Sequence, residues 1–89
     1  MEYGQILIDR AAQKGYSRYR LSQAVHVNQS HLSKIAGGGK ISPVLAAKIA
    51  EVIGDDARLA ALTAVAAQAE SQEQDSLISA FGVEDWRKR

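Results

Sequence analysis

A chain of 89 residues has room for one small domain and a terminal segment, and so small a core can gain stability from dimerisation. The sequence has no cysteine, which excludes a disulfide framework and a cysteine-based zinc site. The net charge of +1 hides an asymmetry: residues 1–50 carry seven basic and two acidic residues, whereas residues 51–89 carry four basic and eight acidic ones. A positive half is typical of a nucleic-acid-binding surface, although ordinary solvated charge would give the same count.

The first predicted helix covers residues 2–14 and ends at Gly15. Its apolar residues recur at helical spacing and form one face: Tyr3, Ile6, Leu7 and Ala11. The first ten residues contain neither a basic leader nor a long apolar run. The sequence therefore predicts no secretory signal and no membrane contact, with the cytoplasm as the default location.

Two short helices joined by a tight turn are predicted next, over residues 17–25 and 28–36. Ser17 and Asn28 are placed as their N-caps. The buried face would consist of Leu21, Ala24, Val25, Leu32 and Ile35. Val27 is apolar in an otherwise polar turn and would fill the angle between the helices. This arrangement is the helix-turn-helix unit, which presents its second helix outward.

A glycine-rich loop, residues 37–40, comes after these two helices. The loop lacks the Walker pattern and no strand precedes it, so a nucleotide-binding loop is not predicted. A fourth helix is expected to begin at Ser42 and a fifth at Asp55 or Asp56, each using the named residue as N-cap. These helices would end near residues 53 and 70.

The apolar residues of the fifth helix repeat at spacings of three and four, as in a helix–helix seam: Leu59, Leu62, Ala66 and Ala69. This seam either meets a partner or packs on the first and fourth helices. Residues 70–75 are polar and form either a break or an exposed helical turn, and a short helix is predicted over residues 76–81. We therefore predict a domain over residues 1–64 that closes its own core, and a C-terminal helical extension over residues 65–89. The apolar side chains of the extension either dock on the domain, contact a second subunit or another protein, or stay mobile, and a second subunit is favoured: Leu77, Ile78, Phe81 and Trp86.

The segment LSQAVHVNQSHLSKI resembles the helix-turn-helix of the lambda-repressor-like proteins, the Cro and XRE group of phages and bacteria. The matching residues are Leu21, Ser22, Val27, Asn28, Leu32, Ser33 and Ile35. The likeness continues through the glycine-rich loop to Gly54, with a possible extension to Leu62. His26 stands where the family usually has glycine, a residue that relieves a positive φ. Histidine tolerates that region better than most residues, so the resemblance implies a positive φ at His26.

The resemblance also implies an all-α, five-helix domain that binds double-stranded DNA by placing its third helix in the major groove. The residues that would face base edges are Gln29, Ser30 and Lys34. Those that would contact phosphate are Arg18, Asn28, His31 and Lys40. Glutamine can bind adenine with two hydrogen bonds, serine can bind several base edges, and lysine prefers the guanine acceptors.

No constellation of residues indicates catalysis. His26 and His31 lie five residues apart, without a carboxylate or thiolate at metal-ligand spacing. Ser30 and Ser33 lie near His31, but no apolar pocket or oxyanion hole accompanies them. We therefore expect no enzymatic activity, no metal and no cofactor.

The sequence leads to three functional hypotheses. The first is a sequence-specific transcriptional regulator, a repressor of phage or prophage type that binds DNA as a homodimer. The second is an antitoxin-like or adaptor protein, in which the C-terminal extension binds a protein partner. The third is a phage recombination or replication accessory factor with the same DNA-binding face. Sequence alone does not separate the third from the first.

Overall fold

The computed structural model describes residues 1–88, and Arg89 lies outside the described residues. The described chain is all-helical and contains no strand, which confirms the predicted all-α class. Its elements are α1 Tyr3–Gln13, α2 Arg18–Val25, α3 Gln29–Ala36, α4 Pro43–Ile53, α5 Ala57–Gln68, α6 Ser71–Phe81 and a 3₁₀ turn at Trp86–Lys88. No helix within residues 1–88 is long and apolar enough to cross a membrane.

Side-chain caps fix the beginnings of three helices where the sequence predicts them. Ser17, Ser42 and Asp56 each accept a hydrogen bond from the backbone N–H three residues later, over 3.2, 3.1 and 3.0 Å. Each bond satisfies a donor that the first helical turn leaves without a partner. The starts of α2, α4 and α5 are therefore set directly by these residues.

The polar stretch over residues 70–75 contains the start of α6, which is the second of its two predicted alternatives, an exposed helical turn. The α6 helix begins at Ser71. Gln74 in its first turns donates to the carbonyl oxygens of Ala67 and Ala69 at the end of α5. Glu73 lies in the first turn, where the helix dipole favours a negative charge. The contact of Gln74 with the end of α5 and the charge of Glu73 therefore favour helix in a turn that lacks apolar residues.

The core forms where α1 packs on α3, α4 and α5. Its largest fully buried side chains are Leu7, Leu21, Val25, Leu32, Ile35, Ile41 and Ile49. At Gly4, α1 comes so close to α3 that a Cβ atom would clash with the Ile35 side chain. The absence of a side chain at this position lets α1 support α3 directly.

The turn between α2 and α3 has the backbone conformation that the family resemblance implies. His26 has φ 58° and ψ 47°, in the left-handed region. The N–H of Val27 donates to the carbonyl of Ser22 over 3.1 Å, which closes the end of α2. The Val27 side chain packs against the core, as predicted. The positive φ at His26 therefore sets the direction in which the chain enters α3.

We expect His26→Val to lower the free energy of unfolding by about 1–2 kcal/mol, because a β-branched residue is strained at positive φ. We expect His26→Gly to change it by less than about 1 kcal/mol, because relief of strain is offset by the greater freedom of glycine in the unfolded chain. Urea unfolding followed by circular dichroism measures both. Equal losses in the two variants would show that the imidazole, and not the backbone conformation, stabilises the turn.

The α5 helix packs on α4 through small residues, and the predicted seam is only partly buried. The buried positions of α5 are Ala60, Thr63, Ala64, Ala66 and Ala67. Of the predicted seam, Ala66 is fully buried but Leu59 is 38% exposed. Small side chains let two helices approach closely, and this approach orients the buried face of α5 toward α4 rather than toward a partner.

The C-terminal segment is part of the core, so of the alternatives for Trp86 the structure shows docking on its own domain and not the favoured contact with a second subunit. After α6 the chain turns at Gly82, which has φ 66°, and returns toward α1. Trp86 is only 4% exposed, and its ring centre lies 6.3 Å from that of Tyr3. Trp86 is therefore not available to a second subunit or partner. Because Ala66, Ala67 and Trp86 all belong to one core, the structure does not support a domain boundary at residue 64.

Leu77, Ile78 and Phe81 are half-buried and pack against the core. An ionic network holds the returning segment to α6, because Arg87 pairs with both Asp85 and Asp75. The side-chain hydrogen bond from Arg87 lowers the pKa of Asp85 to about 2. The Arg87 guanidinium also lies 5.8 Å from the ring centre of Trp86. Contacts within the chain therefore already involve all four residues predicted to face a partner, although three keep part of their surface in solvent.

Candidate nucleic-acid interface

The α3 helix is divided into one fully buried face and one polar, exposed face. Leu32 and Ile35 are 0% and 1% exposed. The polar residues of α3 are all exposed: Gln29, Ser30, His31, Ser33 and Lys34. The structure thus brings together the three residues predicted to read bases, Gln29, Ser30 and Lys34, on one helix surface.

The neighbouring helices hold α3 by its buried face and by its C-terminal end. Ile35 packs against Gly4 of α1, and Gln5 donates from its Nε2 to the carbonyl oxygen of Ala36 over 3.2 Å. The opposite end begins at Asn28, which has extended backbone and forms no side-chain capping bond. The Asn28 carboxamide is therefore exposed at the start of α3, beside the helix amides that favour an anion.

Arg18 lies at the first residue of α2, and its side chain reaches α3. Its Nη1 donates to the Oγ of Ser33 over 3.2 Å. This contact joins two exposed residues that are fifteen positions apart in the sequence. The sequence predicts Arg18 at the interface, but the role of Ser33 was missed. The signal was present, because Ser33 lies four residues after Gln29 and so on the same side of the helix.

Lys40 is predicted to contact phosphate, but in the structure its side chain contacts other groups of the chain. Its Nζ donates to the carbonyl oxygen of Ala67 over 2.8 Å and lies 3.7 Å from an oxygen of Glu2. The carbonyl groups at the end of α5 carry partial negative charge and attract the ammonium group. A phosphate would have to displace these contacts, so the structure does not place Lys40 with the exposed residues of α3.

Several basic residues of the positive N-terminal half stabilise the fold. Arg10 pairs with Asp55 over 2.9 Å, and Lys14 donates to the carbonyl oxygen of Ile53 over 2.8 Å. Arg20 donates to the carbonyl oxygen of Gly15 and stacks over the ring of Tyr16. By contrast, the side chains of Lys34 and Lys48 form no hydrogen bond or ion pair within residues 1–88. The charge asymmetry of the sequence therefore overstates the number of cations free to meet an anionic partner.

A concave region lies away from the exposed face of α3, between α1, α5 and the C-terminal segment. It is a cleft of about 160 Å³, and its lining includes Tyr3, Arg10, Asp55, Thr63 and Trp86. Burial raises the pKa of the Tyr3 hydroxyl, so this group stays protonated at neutral pH. Arg10 and Asp55 already pair with each other. No group of three or more potential metal ligands occurs in the described part of the chain.

Comparison of the chain with models of known protein families, with curated proteins and with solved structures finds no match. The chemistry of the exposed face of α3 and of Arg18 is therefore the basis for assigning a function.

Proposed function

We propose that this protein is a sequence-specific transcriptional regulator, a repressor of phage or prophage type that binds double-stranded DNA in the cytoplasm. In this proposal α1–α5 form a domain of the lambda-repressor-like kind, and α2 and α3 are its helix-turn-helix. The observation that carries the proposal is the division of α3. Its apolar face is completely buried, while Gln29, Ser30 and Lys34 project from the opposite face. An α-helix with this division fits the major groove of B-DNA.

Each exposed residue has a defined task in this proposal. Gln29 donates to and accepts from an adenine edge, Ser30 binds a neighbouring base, and Lys34 donates to guanine acceptors one turn later. Asn28 and His31 donate to phosphate oxygens beside the start of α3. Lys34 supports this assignment best, because it is a cation without a partner in the described chain.

Binding as a homodimer is also part of the proposal, because one recognition helix reads few base pairs. Apolar surface that remains exposed supports it. Leu59 and Val65 on α5 are 38% and 40% exposed, and Leu77, Ile78 and Phe81 of α6 are half-buried. A two-fold contact through α6 would cover the remaining apolar surface of this helix in both copies. Trp86 takes no part in it.

An adaptor or antitoxin-like role has less support than the sequence suggests. That hypothesis relied on an extension that needs a protein partner to cover Phe81 and Trp86. Trp86 is in the core and Phe81 packs against it. A recombination or replication accessory factor would use the same face of α3, and would differ from a regulator only in the process that DNA binding serves.

We expect Gln29→Ala to weaken binding to the preferred sequence by about 1–3 kcal/mol and to relax preference at one base pair in each half-site. The matched control is Gln13→Ala, since Gln13 is an exposed glutamine at the end of α1. Fluorescence anisotropy with the preferred duplex and a random duplex measures both. Equal loss on the two duplexes would make Gln29 a contact to the DNA backbone.

A further inference from the structure

The Arg18 side chain extends from the start of α2 to the exposed face of α3. Its Nη1 is 3.2 Å from the Oγ of Ser33. Ser33 comes four residues after Gln29 and three after Ser30, so all three share one side of α3. A side chain that begins on α2 is thus extended across to the surface proposed to enter the major groove.

No acidic residue holds Arg18 in this position. Within residues 1–88 its hydrogen bond to Ser33 is its one side-chain contact of this kind, and no carboxylate pairs with it. Arg10 and Arg87 differ in this respect, because Asp55 pairs with the first and Asp75 and Asp85 pair with the second. Arg18 is therefore held toward α3 by one hydrogen bond, while its charge and its remaining donors have no partner within residues 1–88.

The remaining donors of Arg18 match one base. A guanidinium has five N–H donors in a planar fork, and Ser33 takes one of them. Two parallel N–H groups of such a fork fit the O6 and N7 acceptors of guanine in the major groove. The hydroxyl of Ser33 limits the rotation of the long side chain, so less freedom is lost when the guanine is bound.

We propose that Arg18 reads a guanine in the major groove and that Ser33 is the residue that positions it. This inference rests on the proposed function, and it assigns to Arg18 a sequence-reading role in place of the phosphate contact that the family resemblance implies. Sequence recognition then comes from α2 and α3 together, since Arg18 reaches the same surface of α3 as Gln29.

The test uses the full chain and a duplex obtained by selection from random DNA. We expect the selected site to contain a constant guanine in each half. Arg18→Lys keeps the charge but removes the fork, so it should lose at least about 10-fold in affinity for this site. Binding to a random duplex and the dependence of affinity on salt should stay unchanged. Replacement of the guanine should cost the original protein at least as much as Arg18→Lys does, and should cost the variant less, because lysine also donates to guanine but lacks the planar fork.

Two substitutions at Ser33 test the positioning role. Ser33→Ala should weaken discrimination at the same base pair by about 3–10-fold, whereas Ser33→Thr keeps the hydroxyl and should restore it. Arg18 and Ser33 are both exposed, so unfolding midpoints should not change. If Ser33→Ala and Ser33→Thr discriminate equally well at this base pair, Ser33 does not position Arg18.

The outcomes also separate this inference from the function on which it rests. If Arg18→Ala weakens binding to all duplexes equally and lowers the salt slope by about one unit, Arg18 is a phosphate contact. The inference is then wrong while DNA binding stands. If the original protein binds no duplex, both the proposed function and the reading of guanine are wrong.

Discussion

Replacement of Trp86 by alanine is expected to lower the free energy of unfolding of the whole chain by about 3–5 kcal/mol. The side chain is 4% exposed and packs against Tyr3 at the start of α1. Its removal would leave a cavity between α1 and the end of the chain. The free energy of unfolding of a small domain is about 5–15 kcal/mol in total. This single change should therefore remove a large part of that free energy and lower the urea concentration at the midpoint of unfolding.

Two other substitutions provide comparisons for the loss of stability in Trp86→Ala. Phe81→Ala removes a half-buried ring and should cost less than Trp86→Ala, and Val65→Ala removes a 40% exposed side chain and should cost at most about 0.5 kcal/mol. All variants should unfold in one transition. If Trp86→Ala unfolds at the same urea concentration as the original chain, the C-terminal segment is separate from the core and the boundary at residue 64 is restored.

Reversal of the charge at Lys34 is expected to weaken binding to the preferred duplex by at least about 100-fold, or about 2.7 kcal/mol. Lys34 is exposed on the outer face of α3 and has no ionic partner in the described chain. Lys34→Glu would remove a donor to the DNA and place a carboxylate in its negative field. Lys34 lies in the last turn of α3, where the helix dipole favours a cation, so the charge reversal should lower the free energy of unfolding by only about 0.3–1 kcal/mol. Anisotropy titrations and urea unfolding measure the two effects separately.

Arg58→Glu is the matched control for this charge reversal. Arg58 is also exposed, and it lies on α5, which packs on α4, α6 and α1. The change in net charge is the same in both variants, so general electrostatic attraction falls equally. If Arg58→Glu weakens binding as much as Lys34→Glu does, net charge governs binding and α3 has no special position on the DNA.

Local signals in the sequence predict most of the helices correctly. Ser17, Ser42 and Asp56 act over three residues, so their capping role is visible without knowledge of the fold. The exposed face of α3 is predicted by its periodicity for the same reason. The positive φ of His26 was implied by the family resemblance and not by the residue alone.

Features that depend on contacts between distant parts of the chain were not predictable. The burial of Trp86 requires α6 to extend from residue 71 and the chain to reverse at Gly82, so that residue 86 meets residue 3. The leucine pattern of α5 indicated a seam through Leu59, but its small residues decide which face meets α4. The contact between Arg18 and Ser33 depends on the angle between two helices, which periodicity does not determine.

Selection of bound sequences from a random DNA pool by the full chain tests the central claim most directly. The proposal predicts enrichment of a two-fold symmetric site whose halves are centred about 10 base pairs, or a multiple of that, apart. The enriched duplex should bind at least about 1,000-fold more tightly than random DNA at physiological salt. Enrichment of an asymmetric site would remove the dimer from the proposal. A folded protein that enriches no sequence would contradict sequence-specific DNA binding itself.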